Sequence, residues 1–219
     1  MLLYCCKKTP GAPLERPRVG VFPMALAGGV RWLLTVAVLA AATAVAERVD
    51  VYLSVEEAPR ALFPEADSIE RRDIPVTESL RAQMRARIGA AKPSIWEPYY
   101  ISFIAKKNGH VIGYAVICEE IGKHRPITFI VGVDPAGKIR DVAVMMYRES
   151  IGDEIRYPAF RRQFRGKTLN DPIAHRRDIR NITGATLSSR AMAVGVRKAL
   201  AFLQLTYVKP DKDHAGGER

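Results

Sequence analysis

The residues of this chain best suited to chemistry lie in one short run, Thr183-Gly184-Ala185-Thr186-Leu187-Ser188-Ser189. Hydroxyl side chains surround a Gly-Ala pair, and an apolar stripe follows at once. Met192, Val196, Ala199, Leu200 and Leu203 recur at three- and four-residue spacing, which predicts one buried face of a helix. A helix start presents unpaired backbone N–H groups and a positive dipole end. The same place therefore suits a phosphate or a simple cap supplied by Thr183 or Thr186. Gly184 adds no side chain to keep a ligand from the backbone. Spacing alone leaves both readings open.

The elements that must position this run read as follows. The chain has 219 residues and a net charge of +11, with 48% hydrophobic and 26% charged residues, ordinary values for a globular domain with appendages. The positive charge would suit nucleic acid, an anionic membrane or an acidic partner. No zinc-finger spacing or RNA-binding signature accompanies it, so no nucleic-acid role is expected. Residues 30–46 form the most apolar run, opened by Arg31 and closed by Ala44-Val45-Ala46 ahead of Glu47. Its uninterrupted part is about 15 residues, short of the roughly 20 that span a bilayer. That is the anatomy of an export signal, with an uncleaved anchor as the alternative if Arg31 snorkels. Met24 makes a more compact start, so residues 1–23 are not expected in the working protein. Cys118 is then the sole cysteine, read as a buried strand residue; the four histidines show no close ligand spacing, and no metal site is expected.

Residues 47–95 read as an N-terminal helical module, with Thr77 capping a helix that carries Leu80, Met84 and Ile88 on one face. The main domain follows over 96–207, and 208–219 is a polar tail. Tyr99–Lys106 and His110–Glu119 flank Asn108-Gly109, a strong hairpin signal. Pro126–Val133 and Lys138–Tyr147 flank Asp134-Pro135-Ala136-Gly137. Four strands in series predict an antiparallel meander packed with helices, an α+β fold. Neither a dinucleotide-type nor a Walker-type glycine run is present.

Several stretches resemble a known family in its own order. Phe129-Ile130-Val131-Gly132-Val133-Asp134 with Gly137-Lys138-Ile139, Glu149-Ser150-Ile151-Gly152, Phe160 with Gln163-Phe164-Arg165-Gly166-Lys167, and Asp178-Ile179 leading to Thr183-Gly184-Ala185-Thr186 are similar to the FMN-binding domain family. That family includes the flavin-bearing subunits of the sodium-pumping NADH:quinone reductase and of the related Rnf electron-transfer complex. Arg180 stands where the family has an acid, with Asp178 two positions away, and Ile151 stands where it has proline.

The resemblance implies an FMN-binding-domain-like fold and one FMN, held by a phosphoester to Thr186 that a separate flavin transferase installs. It implies that Thr183, Gly184 and Ala185 form the turn around the phosphate, with Leu187 against the ring and Glu149 and Ser150 approaching it. Lys167 or Arg190 would offset phosphate charge. The expected function is relay of electrons between membrane or periplasmic redox proteins, in the periplasm or on the extracytoplasmic face of the inner membrane. A carrier is expected rather than an independent enzyme. The alternatives are a flavin-dependent reductase of a small acceptor and a cofactor-free exported binding module. N-terminal sequencing of the exported protein is expected to begin after Pro23, and a product that retains Cys5 and Cys6 would overturn that reading of the start.

Overall fold

Among the described residues six strands form one antiparallel sheet, and its order explains how the chain reaches its site. The structure is a computed structural model, and it describes residues 49–208. The segment read as an export signal or anchor (1–46) and the tail beyond 208 lie outside the described residues. The strands are β1 (Asp50–Val51), β2 (Ser68–Pro75), β3 (Tyr99–Lys107), β4 (His110–Ile121), β5 (Pro126–Val133) and β6 (Ile139–Tyr147), in the spatial order β1-β6-β5-β4-β3-β2. The meander β3 to β6 is the one expected from sequence. At its first turn Asn108 and Gly109 both take positive φ, 50° and 77°, the left-handed conformation that the tightest hairpins need.

Residues 47–95, read as a helical module, also supply two strands to this sheet. They contain helix α1 (Glu57–Leu62) and helix α2 (Glu78–Ile88), but also β1 beside β6 and β2 beside β3. The reason is visible in β2, Ser-Ile-Glu-Arg-Arg-Asp-Ile-Pro, an edge strand whose charged residues pair on its own surface. Arg71 bonds Asp73 at 2.9 Å and Arg72 bonds Glu70 at 3.0 Å. Such a strand lacks the apolar alternation by which strands are recognised. Helix α2 does start at Thr77, whose side chain accepts from Leu80 N at 3.2 Å.

Side-chain alternation divides the core into two layers. Ile127, Phe129, Val131 and Val133 of β5 face the long helix α4 (Thr186–Thr206) together with Met84 and Ile88 of α2. Ile130, with Phe103, Ala115, Ala143 and Met145 of the neighbouring strands, faces α1 through Ala58, Leu62 and Phe63. Met192, Val196, Ala199, Leu200 and Leu203 are all buried, as the helical spacing predicted. A short α-helix α3 (Pro158–Arg161) and two 3-10 turns, Asp153–Arg156 and Arg162–Phe164, lie between β6 and α4. No helix among the described residues is long and apolar enough to cross a membrane.

One buried charge fixes how α4 lies on the sheet. Lys198 is fully buried, and its Nζ donates at 2.9 Å to Ile95 O, Glu119 O and both carboxylate oxygens of Glu97. Glu120 Oε1 lies 3.0 Å from the same nitrogen, an ionic contact without hydrogen-bond alignment. Burial alone would lower the pKa of the ammonium, but the acids around it outweigh that and hold it above the ordinary lysine value. Close approach of helix and sheet is helped by Gly195, where a Cβ would collide with the Phe129 ring. Removing one member of such a cluster strands the others in the interior. Lys198→Met is expected to cost about 3 kcal/mol and to lower the melting temperature by roughly 10 °C for a domain of this size. Calorimetry checks this, and an unchanged transition would show that Glu97 and Glu120 need no buried cation.

Candidate functional site

The start of α4 is uncapped. Its N-cap is Ala185 (φ −111°, ψ 27°) and no side chain bonds the first turn. The first helical hydrogen bond runs from Ser189 N to Ala185 O at 2.9 Å, while Ala185 N is taken by Ile182 O at 3.0 Å. The amides of Thr186, Leu187 and Ser188 thus lack partners within the helix. Neither Thr183 nor Thr186 is the cap that a purely structural role would require. Both are exposed, as is Gly184, while Ala185 is buried and pins the turn. Gly184 has φ +86° with open space where a Cβ would be, so glycine is required there by backbone conformation rather than by crowding. Leu187 is 46% exposed at the same tip.

The fold brings the second predicted stretch, Glu149 to Gly152, onto this helix start. Tyr147, the last residue of β6, makes the junction. Its hydroxyl donates to Ile151 O at 2.7 Å and shares a 2.9 Å hydrogen bond with Ser188 Oγ. Gly152, at φ +104°, fits between them: a Cβ would lie 2.7 Å from the Tyr147 hydroxyl, 2.9 Å from Ser188 Oγ and 3.4 Å from Ala185 Cα. Burial raises the Tyr147 phenol above its ordinary pKa, and the Ser188 bond works in the opposite direction. The phenol therefore stays protonated and available for these bonds.

Glu149 does something local that sequence reasoning missed. Its Oε1 accepts backbone N–H groups of Lys123, His124 and Arg125 at 2.6, 2.5 and 2.9 Å. The carboxylate therefore holds the β4–β5 turn beside the α4 start. Partial burial would raise its pKa, but the three N–H bonds hold it below the ordinary glutamate value. Ser150 is exposed on the same loop. Lys167 does not lie free for a phosphate, because its Nζ donates to Asp178 Oδ2 at 2.8 Å. Asp178 also accepts Ile173 N at 3.1 Å and Ala174 N at 2.8 Å, tying down the loop that leads to Thr183. Burial opposes its ionisation, yet Lys167 and those amides keep the Asp178 carboxyl below the ordinary aspartate value. Arg190 is exposed one turn into α4. Of the aromatic residues of β3, Tyr100 and Phe103 are buried and Tyr99 is exposed; Cys118 is buried with its thiol pKa raised by burial.

A cavity of about 230 Å³ adjoins the helix tip, lined by Leu187, Ala191 and Val194 of α4, by Glu120, Ile121 and Gly122, and by Lys92, Ser94 and Arg190. One exposed hydroxyl, three unpartnered amides, an open glycine and an adjoining, partly apolar cavity suit a phosphate ester bearing a flat ring. The residues present thus fit an FMN held at Thr186. Neither the Lys167 ammonium nor the Glu149 carboxylate is aimed at such a group, each being taken by a partner within the fold.

Residues 122–201 match the family model of the FMN-binding domain. Over 105 residues the chain is 30% identical to a component of the proton-translocating ferredoxin:NAD(+) oxidoreductase complex of Clostridium ljungdahlii, covering 45% of this chain and 57% of that protein. The chain therefore spans less than two thirds of that relative's length. Among solved structures, Shewanella oneidensis NqrC aligns with TM-score 0.45 and 17% identity over 66% of this chain and 84% of its own. A component of the Na(+)-translocating NADH-quinone reductase from Parabacteroides distasonis aligns with TM-score 0.45 and 16% identity over 73% and 86%. The resemblance to the FMN-binding domain family read from the sequence is shown.

The two depressed carboxyls set a pH dependence. Each has a folded pKa below its unfolded value of about 4, so its stabilisation is complete above that value and is lost as pH falls through the folded one. Glu149→Gln and Asp178→Asn are expected to lower the melting temperature at neutral pH and to approach the parent protein as pH falls below the ordinary carboxylate range. Calorimetry across that range checks the sign; a deficit that stays constant with pH would assign the effect to lost shape rather than charge.

Proposed function

We propose, from the match of residues 122–201 to the FMN-binding domain, that this protein is an electron-transfer flavoprotein carrying one FMN as a phosphoester of Thr186. The observation that carries the reading is the exposed Thr186 hydroxyl at the first position of an uncapped 21-residue helix. A phosphate attached there lies against the free amides of Thr186, Leu187 and Ser188 and at the positive end of the helix dipole. Thr183, Gly184 and Ala185 form the turn that leaves this position open. Leu187, exposed at the tip, covers one side of the ring, and the loop of Glu149 and Ser150 borders the other. Glu149 acts indirectly, by holding the 122–125 turn beside the cavity.

Bound FMN supplies the redox chemistry, and the protein supplies attachment, orientation and the surrounding field. Attachment requires a separate flavin transferase. The apolar run at 30–46 supports a place in the periplasm or on the extracytoplasmic side of the inner membrane, where a covalent bond retains a cofactor that is scarce outside the cytoplasm. Electron donor and acceptor are membrane or periplasmic redox proteins, as the place of the Clostridium relative in an oxidoreductase complex suggests.

Co-expression with a flavin transferase is expected to give a yellow protein whose mass increases by FMN less water, with the adduct on the peptide holding Thr186. Thr186→Val is expected to abolish the covalent adduct while leaving the fold intact. Covalent flavin on the valine variant would overturn the assignment.

A further inference from the structure

A second, larger cavity lies along α4 and adjoins the flavin cavity, sharing Lys92, Arg190 and Val194 with it, while its remaining wall, from Asn170 to Arg177, takes no part in the flavin reading. Its volume is about 750 Å³, and it runs between the end of α2, the loop 170–177 and the side of α4. Lys92, Arg177 and Arg190 are exposed at its rim. Among the described residues none of the three is paired with a carboxylate. Its walls are mixed, with Pro172, Ile173 and Val194 beside Asn170 and His175.

Two features show that this cavity is built into the fold rather than left between loops. Arg197 braces it, donating to the carbonyls of Ile88, Asp171 and Pro172 at 3.2, 2.5 and 2.9 Å. The guanidinium thus brings a fourth positive charge, with no carboxylate bonded to it among the described residues. The acid in the wall, Asp171, is turned away, accepting from Thr168 N at 2.8 Å and Thr168 Oγ1 at 3.0 Å. In addition Ile173, a buried β-branched residue, is held at φ +39°. A residue of that type rarely adopts this conformation, so the surrounding structure must hold it there. The Asp178 carboxylate, bonded to the amides of Ile173 and Ala174, holds it there. The wall is therefore fixed in place before any ligand arrives.

Positive charge at the rim beside a wall of mixed character suits an anion whose flat body carries both apolar faces and polar edges. The volume lies within the range of small-molecule sites, roughly 300–1,000 Å³. We propose that this cavity is a binding site for a mononucleotide-sized phosphate ester, separate from the flavin at Thr186. Lys92 and Arg177 hold the phosphate, and the flat group lies against Pro172 and Val194. Lys92, Arg190 and Val194 line both this cavity and the smaller one beside Leu187. Occupancy here thus places a negative charge next to the flavin cavity without entering it. The proposal goes beyond the flavin assignment and does not depend on the bond to Thr186.

The probe is AMP, titrated by calorimetry into the full chain in two forms, with flavin attached and as the flavin-free Thr186→Val variant. Saturable binding to both is expected. Adenosine and pyrophosphate, each lacking half of the recognised chemistry, are expected to bind at least about tenfold more weakly. The double variant Lys92→Glu/Arg177→Glu is expected to weaken AMP by about tenfold or more, since each lost charged contact is worth about that factor. Both charges are exposed, so this variant is expected to keep its melting temperature. Absence of saturable AMP binding to the flavin-free form would overturn the proposal, as would equal binding by adenosine or by the double variant. Binding that disappears when flavin is attached would show that the cavity is the flavin's own seat, and would also overturn it. A failure to flavinylate the parent chain would count against the Thr186 reading alone, because the flavin-free titration still decides this one.

Discussion

The position of α4 depends on a single ammonium group taken wholly out of water. An isolated lysine could not stay charged in that interior, so the chain surrounds Lys198 with acceptors from three places: Glu119 and Glu120 at the end of β4, Ile95, and Glu97 just before β3. The linker 90–98 has no regular structure of its own, and Ser94 N and Oγ bond Glu120 Oε2 at 2.8 and 2.6 Å. Helix, sheet and linker are thus joined through one charge. Hydrophobic contact alone would let the helix slide along its axis at small cost, because its buried face repeats every turn. A directional cluster allows one register. That register sets where the helix begins relative to β6, and hence where Thr186 stands.

At the helix start the same economy of parts recurs with neutral groups. Tyr147, Ser188 and Gly152 come from a strand end, a helix and a loop, and they meet at close range. Their contacts hold Ala185 and Ser188 inward, which leaves Thr186 and Leu187 outward on the intervening positions of the turn. An exposed reactive hydroxyl on a rigid base follows from this arrangement of buried neighbours. The hydroxyl itself makes no contribution to the fold that would compete with a ligand.

The parts of this arrangement that sequence made legible are those written in local periodicity. The meander strands, the Asn108-Gly109 turn, the Thr77 cap and the buried stripe from Met192 to Leu203 all depend on residues within one or two turns of each other. β2 was illegible for a physical reason: at the sheet edge it buries little, so its pattern carries charge pairs instead of apolar alternation. The junction of Tyr147 with Ser188 joins residues 41 positions apart, and no spacing rule contains it. Glu149 was placed at the right loop by resemblance, but its carboxylate faces the amides of residues 123–125, a partner that only the folded chain supplies. Lys167 suits a phosphate by residue type, but the fold sets Asp178 beside it.

The far edge of the sheet has a consequence of its own. β2 is eight residues long and terminal in the order of strands, so among the described residues its outer backbone groups have no strand beside them. Glu70, Arg71, Arg72 and Asp73 stand along it as mutually paired charges. A strand arriving from another molecule would have to dehydrate and separate those pairs before forming its first ladder bond. The opposite edge, β1, has only two residues to offer. Sheet-to-sheet growth is thus discouraged at both ends. In a crowded compartment such a molecule can meet its neighbours through its helical side and loops while its strands remain a closed set.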